Sequence, residues 1–110
     1  MKVNQKDIVL IKFPFSDGTQ SKLRPALVIS NIEVNETQDI FAVQITSKFI
    51  DDNFSVFIPN NSTTITLPFK SWIRTHKIFC LDKKLIQSKI STMHQDYFEM
   101  IIAKIESNLH

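Results

Sequence analysis

The stretch QSKLRPALVIS (residues 20–30) sets the reading of the whole chain. Ala26-Leu27-Val28-Ile29 is a short aliphatic run of the kind that forms a buried strand. Pro25 heads it, and proline's fixed φ and missing N–H suit the first residue of a strand. Arg24 stands just before the proline, where an apolar strand needs no cation in order to fold. A second strand, DIFAVQI (39–45), follows the polar loop NIEVNETQ. If the two strands form an antiparallel hairpin with Ser30 opposite Ile40, Arg24 falls opposite Thr46, and Ser47 lies next to it. Directly opposed residues hold their Cβ atoms about 4.5 to 5.5 Å apart. A slip of one residue would turn the side chains to opposite faces, so the juxtaposition depends on register. A planar, permanently charged fork beside hydroxyls suits a phosphate group. The alternative for Arg24 is a surface salt bridge, worth about 0 to 1 kcal/mol.

Outward from this hairpin, DIVLIKF (7–13) reads as a first strand. The connection PFSDGTQSKL carries the turn signal Asp17-Gly18, the only glycine in the chain. NFSVFI (53–58) and STTITL (62–67) read as a hairpin around PNN. SWIRTHKIFCL (71–81) is long enough for one bent strand or two short ones, and DKKLIQSKI can hold a single helical turn. The C-terminus then changes period. Phe98, Ile101, Ile102, Ile105 and Leu109 recur at helical spacing and predict an amphipathic helix over 93–108. Thr92 and Gln95 fit a capping box, and Asp96 and Glu99 sit at the favourable end of the dipole. The apolar stripe reads as packing on a sheet, or as a face partly shared with a partner subunit. Short strands plus one terminal helix predict a mainly β fold, a small barrel with a helical lid, because closure removes exposed edges.

Composition narrows the class. The 110 residues fit a single domain spanning 1–110, and 43% hydrophobic with 22% charged residues is globular material. Nine phenylalanines against one tyrosine and one tryptophan predict an aromatic core. The single cysteine, Cys80, rules out an internal disulfide and fits a reducing compartment. Its setting, Ile78-Phe79-Cys80-Leu81, reads as core packing. The N-terminus lacks the shape of a signal peptide, and no run approaches the roughly 18 apolar residues of a membrane span, so a cytoplasmic location is expected. A net charge of +2 permits nucleic-acid binding without demanding it. His76, His94 and His110 lack metal-ligand spacing, and one glycine excludes both a P-loop and a dinucleotide fingerprint. No cofactor or metal is expected. His94 and the pair Asp51-Asp52 read as solvated surface.

KSWIRTHK (70–77) adds a second basic cluster, with Lys70, Arg74, His76 and Lys77 around Trp72. On a strand, Trp72, Arg74 and His76 share one face at period two. A ring for stacking beside a cation matches a single-stranded nucleic-acid surface. The alternative is a tryptophan anchored in the core with Arg74 snorkelling from it.

Taken together, DIVLIKFPFSDGTQSKLRPALVIS, AVQITS and SWIRTHKIFCLD resemble the MazF/PemK-type toxins of bacterial type II toxin–antitoxin modules. The resemblance covers roughly residues 5 to 106 and is strongest at Arg24-Pro25 and Ile45-Thr46-Ser47. It implies the MazF/PemK/CcdB-like toxin fold, an SH3-like barrel, as a homodimer with an RNA groove across its interface. It also implies a metal-independent endoribonuclease that cuts single-stranded mRNA at specific sequences. In that chemistry the ribose 2′-OH attacks the adjacent phosphate, leaving a 2′,3′-cyclic phosphate and a 5′-OH. The resemblance places Arg24, Thr46 and Ser47 in catalysis. Where some members carry an acidic general base, this chain has His76, whose unperturbed pKa suits the task. Ser16, Asp17 and Lys22 fall in the loop that contacts RNA, and Trp72, Arg74 and Lys77 are the other substrate-binding candidates. The implied partners are RNA and a cognate antitoxin, with DNA binding through the antitoxin and no membrane. Lys6 stands where members commonly have glycine. A gyrase-inhibiting toxin and a degenerate RNA-binding barrel are the alternatives on the same fold.

Overall fold

The computed structural model describes residues 2–13 and 22–110. Its strands are β1 (Asp7–Phe13), β2 (Lys22–Val28), β3 (Asp39–Thr46), β4 (Ser55–Phe57), β5 (Trp72–Asp82) and β6 (Ile86–Thr92). Its helices are α1 (Ile32–Asn35) and α2 (Gln95–Ser107), with 3₁₀ turns at Asn60–Ser62 and Lys83–Leu85. The strands form one antiparallel sheet in the order β4-β5-β3-β2-β1-β6.

The β2–β3 register puts Ala26 opposite Gln44, Leu27 opposite Val43 and Val28 opposite Ala42. That is the phase in which Ser30 would face Ile40. The central strands are apolar on both faces because both are covered. On one face Ile8, Leu27, Val43, Ile45 and Ile73 pack against Phe98, Ile101 and Ile105 of α2. On the other, Val9, Ile11, Ala26, Val28 and Ala42 pack with Leu81 and Ile86. The connection read as a loop contains α1, capped by Asn31. Buried Asn35 closes that turn, accepting from the Ser30 hydroxyl and donating to its carbonyl.

The expected barrel is not closed, because β4 and β6 remain the two ends of the sheet. Residues 62–67, expected as a strand, cover the β6 edge with one isolated bridge, Thr63 to Met93. The Ser91 hydroxyl donates to the Ile65 carbonyl at 2.7 Å and accepts from its N–H at 3.0 Å. Thr63 likewise turns its hydroxyl onto the Ile65 carbonyl. Hydroxyls that bond nearby backbone in this way displace a regular ladder.

Strand β5 is continuous but bent. It pairs Ile78 with Val43 and Ile73 with Ile45, so residues 74–77 bulge opposite Gln44. The single turn expected after residue 82 is the 3₁₀ turn, and a strand, β6, follows it. Cys80, expected in the core, is exposed. It alternates with buried Leu81 and lies on the outward phase of the strand.

Helix α2 starts two residues later than expected, and the capping box does not form. Thr92 belongs to β6, and Met93 donates its N–H to the Lys6 carbonyl, so the chain leaves the sheet only at His94. His94 is the N-cap and makes no side-chain cap bond. Gln95 instead bonds Glu99 and accepts from Lys6 Nζ.

Lys6 has φ +81°, the left-handed region that favours glycine. Its N–H donates to Val28 and its carbonyl accepts from Met93, so the strained residue joins three strand ends. Left-handed backbone costs an L-residue roughly 1 to 2 kcal/mol, partly offset by glycine's larger unfolded entropy. Lys6→Gly is therefore expected to raise stability by about 0.5 to 1 kcal/mol, read as a higher urea midpoint at unchanged m-value.

Candidate functional site

The β2–β3 ladder ends at Ala26 and Gln44. Pro25 has no N–H to carry it further, although it still sits opposite Leu10 on β1. Beyond that point lies a cavity of about 640 Å³, a size typical of small-molecule sites. Leu10, Pro25, Ile45, Leu67 and Ile90 supply its apolar wall. Lys22, Arg24 and Lys48 line it as cations, and Thr46, Ser47 and Ser71 as hydroxyls. No carboxylate lines it among the described residues.

Arg24 and Lys22 are exposed at its mouth. Among the described residues Arg24 makes no ion pair or side-chain hydrogen bond. Thr46 accepts from the Lys48 N–H at 3.1 Å, which fixes its oxygen and leaves its proton available to donate. A mouth of three cations and three hydroxyls, with no carboxylate among the described residues, can hold a phosphate, with charge from Arg24 and orientation from Thr46 and Ser47. Lys48, Ser71 and Phe69 line this cavity and were not singled out from sequence. The one available signal was that Lys48 directly follows Thr46-Ser47. Phe69 is 72% exposed. Ser16 and Asp17 lie outside the described residues.

The other predicted cluster is placed differently. Trp72, Arg74, His76 and Lys77 do not line the cavity. Arg74 is only 7% exposed. Its Nη1 donates to Asp52 Oδ2 at 2.7 Å and to Ser55 Oγ at 2.8 Å, so this cation is committed internally. Asp52, read from sequence as solvation, is the organiser of its loop and also accepts from the Phe54 and Ser55 N–H groups. The Phe54 N–H, followed by Arg74, holds the Asp52 carboxyl below the usual carboxylate range. His76 stacks on Phe54 with centroids 4.3 Å apart. Partial burial and then the Arg74 and Lys77 charges push its pKa below the ordinary imidazole value. Trp72 lies between Phe49 and Phe57, at 5.8 and 5.7 Å.

The Asp52 shift has a testable sign. Its folded pKa lies below the unfolded value near 3.8. The ionised pair therefore contributes stability above that value, and the contribution is lost as pH falls through the folded pKa. Asp52→Asn is expected to lower the urea midpoint at pH 7 and to flatten the loss of stability below about pH 4. Urea unfolding at a series of pH values reads both effects.

No three His, Cys, Asp or Glu side chains among the described residues form a group able to hold a metal ion. No helix is long and apolar enough to cross a membrane.

A bent antiparallel sheet with one helix on its face and a cationic, hydroxyl-lined cavity at a hairpin end defines a class of small β proteins. Residues 4–109 match the family described as the PemK-like, MazF-like toxin of type II toxin–antitoxin systems, and the chain belongs to that family. No curated protein matches it by sequence. Among solved structures, a MazE–MazF complex from Deinococcus radiodurans shares the fold at TM-score 0.81 and 21% identity, over 99% of this chain and 97% of that one. An endoribonuclease in complex with its cognate antitoxin, from a mycobacterial species, superposes at TM-score 0.79 and 16% identity, over 97% and 94%. The Mycobacterium tuberculosis toxin MazF-mt6 gives 0.71 at 14% identity, over 93% of each chain.

Proposed function

We propose that this toxin is an endoribonuclease that cleaves single-stranded RNA at the Arg24 cavity, without a metal, by attack of a ribose 2′-OH on the adjacent phosphorus. The 5′-oxygen leaves with a proton, and the products end in a 2′,3′-cyclic phosphate and a 5′-OH. The observation that carries this reading is an uncommitted Arg24 beside Thr46 and Ser47 in a mouth that no described carboxylate lines. Arg24 stabilises the charge that grows on the phosphorane oxygens. Thr46 and Ser47 hold the phosphate in line for attack, and Lys22 and Lys48 steer the RNA backbone.

His76 is the proposed general base. With its pKa lowered it is mainly neutral at pH 7 and free to accept a proton. It does not line the cavity, so this role requires the RNA strand to run from the cavity toward β5. A His76→Ala protein that kept the wild-type pH–rate profile would remove it from the mechanism.

A homodimer, cytoplasmic location, and inhibition and DNA binding through a cognate antitoxin belong to the same proposal. Support for an antitoxin comes from the solved relatives, which include complexes with cognate antitoxins. The test is a long single-stranded RNA incubated with purified protein in EDTA beside DNA of the same sequence. Discrete cuts in the RNA alone are expected. Intact RNA under conditions where it binds would overturn the proposal.

A further inference from the structure

The sheet register carries the site beyond its cavity. Thr46 pairs with Trp72 across β3 and β5, and Trp72 pairs with Phe57 across β5 and β4. The β2–β3 phase, continued past its last pair, sets Arg24 beside Thr46. Arg24, Thr46, Trp72 and Phe57 thus form one row across four neighbouring strands. Directly opposed residues share a face, and burial agrees with this. Ile45, Ile73 and Ile58, one step along from Thr46, Trp72 and Phe57, and Leu27, three along from Arg24, all pack on the α2 side with the cavity's Leu67 and Ile90. The row therefore lies on the other side and meets the cavity at Arg24 and Thr46, which also line it. Neighbouring strands are about 4.8 Å apart, which puts Trp72 one strand from Thr46 and Phe57 two.

The far end of this row is aromatic and open. Phe49 is 60% exposed and Phe57 42%. Both are tilted against Trp72, by 53° and 57°, rather than stacked on it, so ring faces remain uncovered. The Asp52–Arg74 pair and the Asp52 bonds to the Phe54 and Ser55 N–H groups pin the loop that bears Phe49. The platform is therefore held in place before anything binds. Lys48, beside Phe49 in sequence, supplies a cation at the junction with the cavity.

We propose that Phe49, Phe57 and Trp72 form a base-stacking subsite for single-stranded nucleic acid, taking the nucleotide next to the phosphate held at Arg24 and Thr46. The strand then runs across the sheet, phosphate over β2 and β3 and base over β5 and β4. This rests on the phosphate role proposed for Arg24 and Thr46, and it assigns the neighbouring base to particular rings.

Trp72 is the only tryptophan in the chain, so its emission reports the subsite directly. The probe is a mixed-sequence 2′-O-methyl oligoribonucleotide, which cannot supply the attacking hydroxyl. An oligomer of equal phosphate count with abasic units throughout is the control. Quenching of Trp72 by the base-bearing oligomer is expected, with affinity about 10-fold or more above that of the abasic control. Phe49→Ala and Phe57→Ala are each expected to weaken base-dependent binding by about 5-fold or more while leaving the abasic affinity unchanged. Equal quenching by the abasic oligomer, or wild-type affinity in both variants, would overturn the subsite. Cleavage is scored separately on unmodified RNA. Base-dependent quenching without cleavage would sink the ribonuclease reading and leave the subsite standing, and cleavage without base-dependent quenching would do the reverse.

Discussion

Replacing Arg24 with alanine is expected to slow single-turnover RNA cleavage by about 10²- to 10³-fold, the usual effect of losing one charge-stabilising donor. The fold should be untouched, because the side chain is exposed and bonds no described residue. The unfolding midpoint should therefore stay within about 0.5 kcal/mol of wild type. Arg24→Lys is expected to recover only part of the rate, since an ammonium keeps the charge but loses the two-pronged grip on phosphate oxygens. RNA affinity in the alanine protein should fall far less than the rate, because Lys22 and Lys48 still line the cavity. Rates and binding constants on one RNA separate a loss of transition-state stabilisation from a loss of binding.

The second large effect is on stability. Ile101 is fully buried where α2 meets the sheet, in one cluster with Leu27, Val43 and Ile73. Ile101→Ala removes three carbons from the centre of that contact and is expected to cost about 2 to 5 kcal/mol. That is a large share of the roughly 5 to 15 kcal/mol typical of a whole domain. Met100, its neighbour, is exposed, and Met100→Ala should change stability by no more than about 0.5 kcal/mol. Urea unfolding of both proteins reads the contrast. Equal losses would mean that the helix is seated on a different face.

The residues that carried information in the sequence were those whose neighbours are close in the chain or set by period. Ala26-Leu27-Val28 and Ala42-Val43 read as two buried strands, and the register with Ser30 opposite Ile40, which the apolar run alone does not fix, is the phase found in the sheet and the one that brings Arg24 toward Thr46. The helix was legible from the helical spacing of Phe98, Ile101 and Ile105. Its capping box was not, because partners distant in sequence take up its groups: the Thr92 N–H donates to Thr64 Oγ1, and Gln95 Oε1 accepts from Lys6 Nζ. Residues 62–67 alternate like a strand, but the Ser91 hydroxyl takes up the Ile65 backbone groups. Arg74 looked like a free cation because its partner lies 22 residues away in the chain. That partner, Asp52, looked like a solvated acid for the same reason. Phe69 and Ser71 reach the cavity only through the path of the chain after β4, which no local pattern encodes. Lys6 reads from sequence only as a departure from the glycine that the resemblance implies, and its φ of +81° is the left-handed backbone that glycine favours.

The central claim is that a ribose hydroxyl, and not water, attacks a phosphate held by Arg24, Thr46 and Ser47. It is tested most directly with an RNA that carries a single 2′-deoxy nucleotide on the 5′ side of a mapped cleavage point, compared with the all-ribose strand in EDTA. The account predicts that cutting stops at that position alone, while cuts elsewhere continue and end in 2′,3′-cyclic phosphate. Continued cutting at the deoxy position would contradict it, since the attacking oxygen would then have come from elsewhere.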